Sequence, residues 1–121
     1  MRRFARAPLD LERFVAFDDV VTCLPIIWEV LQGFRDEAPF RRARDSMFAL
    51  PAVESPLSAP VILQAIDLYR TGRRAGMTIR SSVDCLIAAC ALRHDLEVLH
   101  LDRDFGAIAS ISRLRERQAW P

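Results

Sequence analysis

Lysine is absent: all 17 basic residues of this chain are arginine. Arginine's planar fork suits bidentate phosphate contacts, but a biased composition explains the replacement equally well. The formal net charge of +1 excludes a global electrostatic pull toward nucleic acid. Cysteine is scarce and odd in number, at Cys23, Cys85 and Cys90. That argues against a disulfide framework, and the spacing is not of a metal-binding kind. The three are expected as small core residues of a protein in a reducing, cytoplasmic compartment. Long apolar runs are also missing. The longest, Cys85 to Leu92, has eight residues, too few to span a bilayer. The opening MRRFARAPLD has arginines but no apolar segment of the secretory kind. With only four glycines there is no GxxxxGK[ST] phosphate loop. No Ser/His/Asp or Cys/His pair has the spacing of a covalent catalyst. His94 and His100 fall in no metal-ligand spacing and are expected as structural or surface residues.

What is present is enough apolar residue, 51% of 121, for the core of one domain over residues 1–121. The organising stretch is RSSVDCLIAACALRHDLEVLHLDRDF, Arg80 to Phe105. Val83, Leu86, Ile87, Cys90 and His94 recur at the helical period. EVLHL, residues 97–101, is a short β-prone run. Upstream, Leu11, Phe14, Val15 and Phe17 predict a short helix, and Val20–Cys23 a buried strand. Pro25 opens a helix that Gly33 closes, and Pro39 starts another through Leu50. Residues 52–55 read as a minor strand. Ser58 and Pro60 start a helix running to Gly72, and Arg73–Met77 make a basic connection into the organising helix. Residues 106–110 read as one helical turn and 111–117 as an edge strand. Strands alternating with helices predict an α/β domain with a mostly parallel sheet.

Four acids stand in unusual company. Glu29 lies in the otherwise apolar start of the helix after Pro25. Asp84 shares a helix face with the small residues Ala88 and Ala91, and Asp102 and Asp104 close the strand 97–101. Asp84 and Asp102 are 18 residues apart, yet the carboxyl end of a strand and the first turn of a neighbouring helix can converge. Two ionised carboxylates about 4 Å apart repel by roughly 4 kcal/mol at an effective dielectric near 20. A cluster therefore sheds protons or recruits a hard cation, Mg²⁺ or Mn²⁺. Each acid also has a plainer reading. Ser81-x-x-Asp84 is a capping-box pattern, Glu29 fits a solvent-facing helix position, and Asp102 or Asp104 can cap the following turn.

The pieces PIIWEVLQGF and GMTIRSSVDCLIAACALRHDLEVLHLDRDF, with their spacing, resemble the VapC-type PIN-domain ribonucleases, the toxins of VapBC toxin–antitoxin modules. The resemblance covers about residues 9–114, and D-x-L-I-A-A-x-A followed by L-x-x-D-R-D-F carries it. It implies a three-layer α/β/α PIN-like fold with a short sheet, Mg²⁺-dependent endoribonuclease cleavage of RNA, a VapB-like antitoxin and a homodimer. By the same resemblance Glu29, Asp84 and Asp102 surround the metal, with Asp104 close by. Arg73, Arg74 and Arg80, just before the organising helix, are the candidates for holding RNA phosphates. A solvated face explains them and Arg41, Arg42, Arg44 and Arg70 as well. Trp28 is expected over apolar core beside the pocket, and Trp120 in the tail.

One departure shapes the expectation. Family members begin with an apolar strand ending in Asp, followed by Thr or Ser. No apolar strand precedes Leu9 here, and Asp10 lies in the helical pattern LDLERF. The expectation is therefore an N-terminally truncated sheet, two strands lacking a neighbour and one carboxylate fewer. The rival to an active ribonuclease is a non-catalytic PIN domain that binds an antitoxin or persists as a remnant.

Overall fold

In the computed structural model, which describes residues 3–5 and 20–118, four short strands form one sheet in the order β2-β1-β3-β4. They are β1 (Arg3–Ala5), β2 (Val20–Val21), β3 (Glu97–His100) and β4 (Arg115–Gln118). All three pairings are parallel, with Phe4 opposite both Val21 and Val98, and Leu99 opposite Arg117. Parallel neighbours cannot be joined by a hairpin, so each connection must travel through other structure. Among the described residues five helices lie between the strands: α1 (Leu24–Gln32), α2 (Glu37–Ala49), α3 (Ala59–Arg74), α4 (Ser82–Arg93) and α5 (Arg103–Ser110). This is the expected α/β, PIN-like architecture.

The sheet's centre corrects an expectation. The two strands predicted to lack a neighbour, β2 and β3, are both paired with β1. That strand is Arg-Phe-Ala, neither wholly apolar nor ended by an acid, which is why its sequence did not announce it. Three residues supply only a few ladder bonds, but they satisfy backbone groups on both neighbours that would otherwise need partners. The helix expected around residues 9–17 and the tail at Trp120 lie outside the described residues.

Elsewhere the elements follow the local signals with small shifts. Pro25 stands in the first turn of α1, where its missing N–H costs nothing. The same tolerance lets α2 begin at Glu37, two residues before Pro39, with Asp36 as its N-cap. Ala52 makes a single bridge to Thr22 rather than a strand. Thr22 N–H donates to the Pro51 carbonyl and Val53 N–H to the Thr22 carbonyl, both at 2.9 Å, before Glu54 turns left-handed at φ 52°. The N-cap of α3 is Ser58, whose hydroxyl accepts from Val61 N at 3.4 Å. This helix passes Gly72 and ends at Arg74, so Arg73 and Arg74 form its last turn, where the helix dipole favours cations. Gly72 serves packing instead: a Cβ there would stand 2.7 Å from Ile79 Cδ1. Helix α5 runs two turns from Arg103 rather than one from residue 106.

The core gathers around α4. Cys85 and every residue from Ile87 to Ala91 are buried, packed with Ile26, Val61, Val98, Phe105 and Ile108. His94, expected as a structural or surface residue, is the exposed C-cap of α4. Cys23, Cys85 and Cys90 are free, buried thiols, as expected. Burial pushes the Cys23 thiol pKa upward, behind the larger effect of its hydrogen bond with Cys90. Trp28 does not cover the core. It is 61% exposed, because Ile26, Ile27 and Val30 already occupy the inward face of α1. Among the described residues no helix is long and apolar enough to cross a membrane.

Candidate metal centre

Strand β3 ends at His100, and two residues later the chain enters α5 with Asp102 as N-cap. Asp102 Oδ1 accepts the backbone N–H of Asp104 at 3.0 Å, which is the capping role its sequence context allowed. Asp104, in the first turn of α5, turns to a different helix. Its Oδ2 accepts the backbone N–H of Ser81, the N-cap of α4, at 2.9 Å. The capping box expected from Ser81-x-x-Asp84 does not form, since the Ser81 side chain makes no cap bond. Asp104, 23 residues downstream, satisfies that helix start instead. Asp84 N–H donates to the Ser81 carbonyl at 3.2 Å, and the Asp84 residue is fully buried.

These bonds draw three carboxylates together. One oxygen from each of Asp84, Asp102 and Asp104 lies within 4.8 Å of the others. Asp84 and Asp104 are buried, and Asp102 is half-buried. Around a single Mg²⁺ with oxygens at about 2.1 Å, cis and trans ligand atoms stand about 3 Å and about 4 Å apart. The donor set and its spread therefore suit one hard divalent cation, with small adjustment of the side chains. The N-terminus of α4 adds its positive dipole end beside Asp84. Cys85 registers the local field: its thiol pKa is pushed up to about 11, by burial first and then by the Asp84 and Asp104 carboxylates.

Of the predicted site residues, Asp84, Asp102 and Asp104 are brought together, with Asp104 a full member of the group. Glu29 is half-buried on α1 and is not one of the three. Arg73, Arg74 and Arg80 are all exposed. Arg73 lies 5.9 Å over the Tyr69 ring, and Arg74 donates to Thr71 Oγ1 at 3.4 Å. Arg80 immediately precedes Ser81, the residue tied to Asp104. Sequence reasoning missed one pair beside the group, His100 and Glu116, whose side chains meet at 2.5 Å. They are 16 residues apart on neighbouring strands, and only strand register could have paired them.

The PIN domain family model matches residues 3–111. The chain belongs to the VapC-type PIN-domain family. It is 38% identical over 96 residues to VapC ribonuclease Mb1587 of Mycobacterium bovis, and equally to Ribonuclease VapC11 of Mycobacterium tuberculosis. Each match covers 79% of this chain and 71% of the relative. Among solved structures, VapBC-5 of Mycobacterium tuberculosis, a member of the VapBC family of toxin–antitoxin systems, superposes with a TM-score of 0.70. That match covers 95% of this chain and 96% of the other at 19% identity, a likeness of fold. A VapC-type chain thus carries, at the carboxyl end of its sheet, a group of carboxylates able to coordinate a divalent metal.

Proposed function

We propose that this chain is the toxin of a type II toxin–antitoxin module, a Mg²⁺-dependent endoribonuclease that hydrolyses RNA phosphodiesters. The observation that carries the proposal is the meeting of Asp84, Asp102 and Asp104 within 4.8 Å in a VapC-type chain. In this reading the three aspartates hold Mg²⁺, for which Mn²⁺ can substitute. When bound, such an ion supplies Lewis-acid activation of water and neutralises charge at the phosphate. The protein's own part is positional. Backbone N–H groups at the start of α4 and in the first turn of α5 hold the Asp104 and Asp102 carboxylates, so only small side-chain adjustment is needed on binding. Glu29 on α1 is the fourth acidic candidate. Arg73, Arg74 and Arg80 are the candidates for the RNA backbone, with contacts that position rather than specify.

The partners in this reading are RNA, a VapB-like antitoxin and a second copy of the chain, all meeting in the cytoplasm. The outer face of α3 supports a protein partner: Ile62, Leu63, Ile66 and Tyr69 are all exposed on it. Beside them an apolar groove of about 350 Å³ runs between α3 and α4. Contiguous exposed apolar surface of this kind marks interaction sites.

The test is a ribonuclease assay of the purified chain with Mg²⁺ or EDTA, beside Asp84→Asn and Glu29→Gln. Cleavage should require the metal and vanish in Asp84→Asn. Cleavage that survives both EDTA and Asp84→Asn would sink the metal-centre reading. A second reading, the non-catalytic PIN domain that binds an antitoxin, is favoured by one observation: β1 is Arg-Phe-Ala and carries no acid. No cleavage by folded protein, with antitoxin binding retained, would select it.

A further inference from the structure

The carboxylate group accounts for Asp84, Asp102 and Asp104 but leaves two polar side chains beside it without a role. His100, the last residue of β3, is only 4% exposed. Its Nε2 lies 2.5 Å from Glu116 Oε2 on β4. Its other ring nitrogen, Nδ1, accepts the backbone N–H of Asp102 at 3.2 Å. The Phe105 ring packs at a tilt against the imidazole, with centroids 5.0 Å apart.

These contacts select one form of the ring. An ionised carboxylate only accepts, so Nε2 must carry a proton toward Glu116. A backbone N–H only donates, so Nδ1 must be bare. Both bonds coexist in a neutral imidazole protonated on Nε2, and in no other form. Glu116 thus does to His100 what a carboxylate does to many metal-bound histidines: it fixes the tautomer and the ring's orientation. Here the histidine acts on a peptide instead of an ion.

We propose that His100 is a positioning residue for the metal centre, its Nδ1 fixing the Asp102 peptide so that the Asp102 carboxylate faces Asp84 and Asp104. The inference rests on the metal reading above. The order of the bonds gives it content. Glu116 holds His100, and His100 holds the Asp102 peptide. Asp102 Oδ1 holds the Asp104 peptide, and Asp104 Oδ2 holds the start of α4, where Asp84 stands. A run of hydrogen bonds therefore links the edge strand β4 to the Asp102 and Asp104 carboxylates and to the start of the helix that carries Asp84. A cleft of about 300 Å³ adjoins this run, lined by His100, Asp102, Arg103, Glu116 and Gln118 among others. Water from the cleft can satisfy the Asp102 N–H if Nδ1 is lost, but it cannot aim the peptide. Removal of the acceptor should therefore register in metal affinity more than in stability.

Two substitutions separate aiming from mere packing. Asparagine sets its amide oxygen near the place of Nδ1, and glutamine sets its amide near the place of Nε2. Mn²⁺ titration calorimetry on the full chain should find His100→Asn within about threefold of wild type. His100→Gln should bind at least about tenfold more weakly, the usual range for groups that support a metal ligand. Equal weakening in both variants, or none in His100→Gln, overturns the positioning role while leaving the metal centre standing. Wild-type chain that binds no Mn²⁺ sinks the metal reading itself. Imidazole ¹⁵N shifts of the wild-type protein give a readout that needs no variant to fold. They should show Nε2 protonated and Nδ1 bare, and a proton on Nδ1 would overturn the proposal.

Discussion

Helices α3 and α4 pack against one another and break the usual rule of burial in opposite directions. α4 buries seven of its 12 residues, and one of them is a carboxylate, Asp84. α3 is longer, at 16 residues, yet buries only Val61, Ala65, Leu68 and Gly72. It leaves Ile62, Leu63, Ile66 and Tyr69 in solvent. A buried charge and an exposed apolar patch are the two informative departures from ordinary partition. The first belongs to a group of carboxylates able to coordinate a divalent metal, and the second is where the proposed protein partner would dock. Both departures sit on neighbouring helices, and the buried part of α4 is made largely of small residues. Ala88, Ala89 and Ala91 are all fully buried.

The contrast can be broken most severely at Asp84. Asp84→Asn should lower metal-dependent cleavage by more than about 100-fold, beyond the 10–100-fold typical of groups that only support a ligand. The assay is RNA cleavage with matched Mg²⁺, and residual activity within about tenfold of wild type would remove Asp84 from the chemistry. Next is the core side of α4. Ile87 is fully buried, so Ile87→Ala should cost about 2–5 kcal/mol in urea unfolding. Smaller is the start of α3, where Ser58→Ala removes an N-cap and should cost about 1 kcal/mol. Smallest should be the outer face of α3. Ile66→Ser should change the stability of the isolated chain by less than about 0.5 kcal/mol. A loss of several kcal/mol there would mean that the face is part of the core and not a surface in waiting.

A pH experiment sharpens the link between the two helices. Glu54 stands at the junction of the α3 start and the α4 end. Its carboxyl is held below the usual glutamate range, first by the Ser58 hydroxyl at 2.6 Å and then by His94 at 3.2 Å. A depressed carboxyl pKa contributes stability that is present above its unfolded value and lost as pH falls through the folded one. Wild type should therefore lose slightly more stability than Glu54→Gln on going from about pH 6 into the carboxylate range. Identical pH profiles of denaturant midpoint would show that the link contributes nothing.

Much of this was legible before any fold was known. Helices α1, α3 and α4 and strand β3 were announced by Pro25, by Ser58 with Pro60, and by apolar periodicity. Asp84, Asp102 and Asp104 were singled out by their neighbours and by the family resemblance. β1 was not legible, because three residues, one of them charged, carry no periodicity. Its place at the sheet's centre comes from pairing with β2 and β3, which no local pattern encodes. Trp28 was misjudged because a helix position shows its face only when the other three sides are known to be covered.

The sequence by itself determined which segments become helix and strand and which acids stand in the wrong surroundings for a solvated surface. Those are local matters of propensity, capping and period. Only the tertiary structure decided that Asp104 caps α4 from 23 residues away. It alone decided that His100 finds Glu116 across a strand pair, and that three carboxylates meet within 4.8 Å. Hydrogen-bond partners of high sequence separation depend on register and packing, and these are set by the whole sheet.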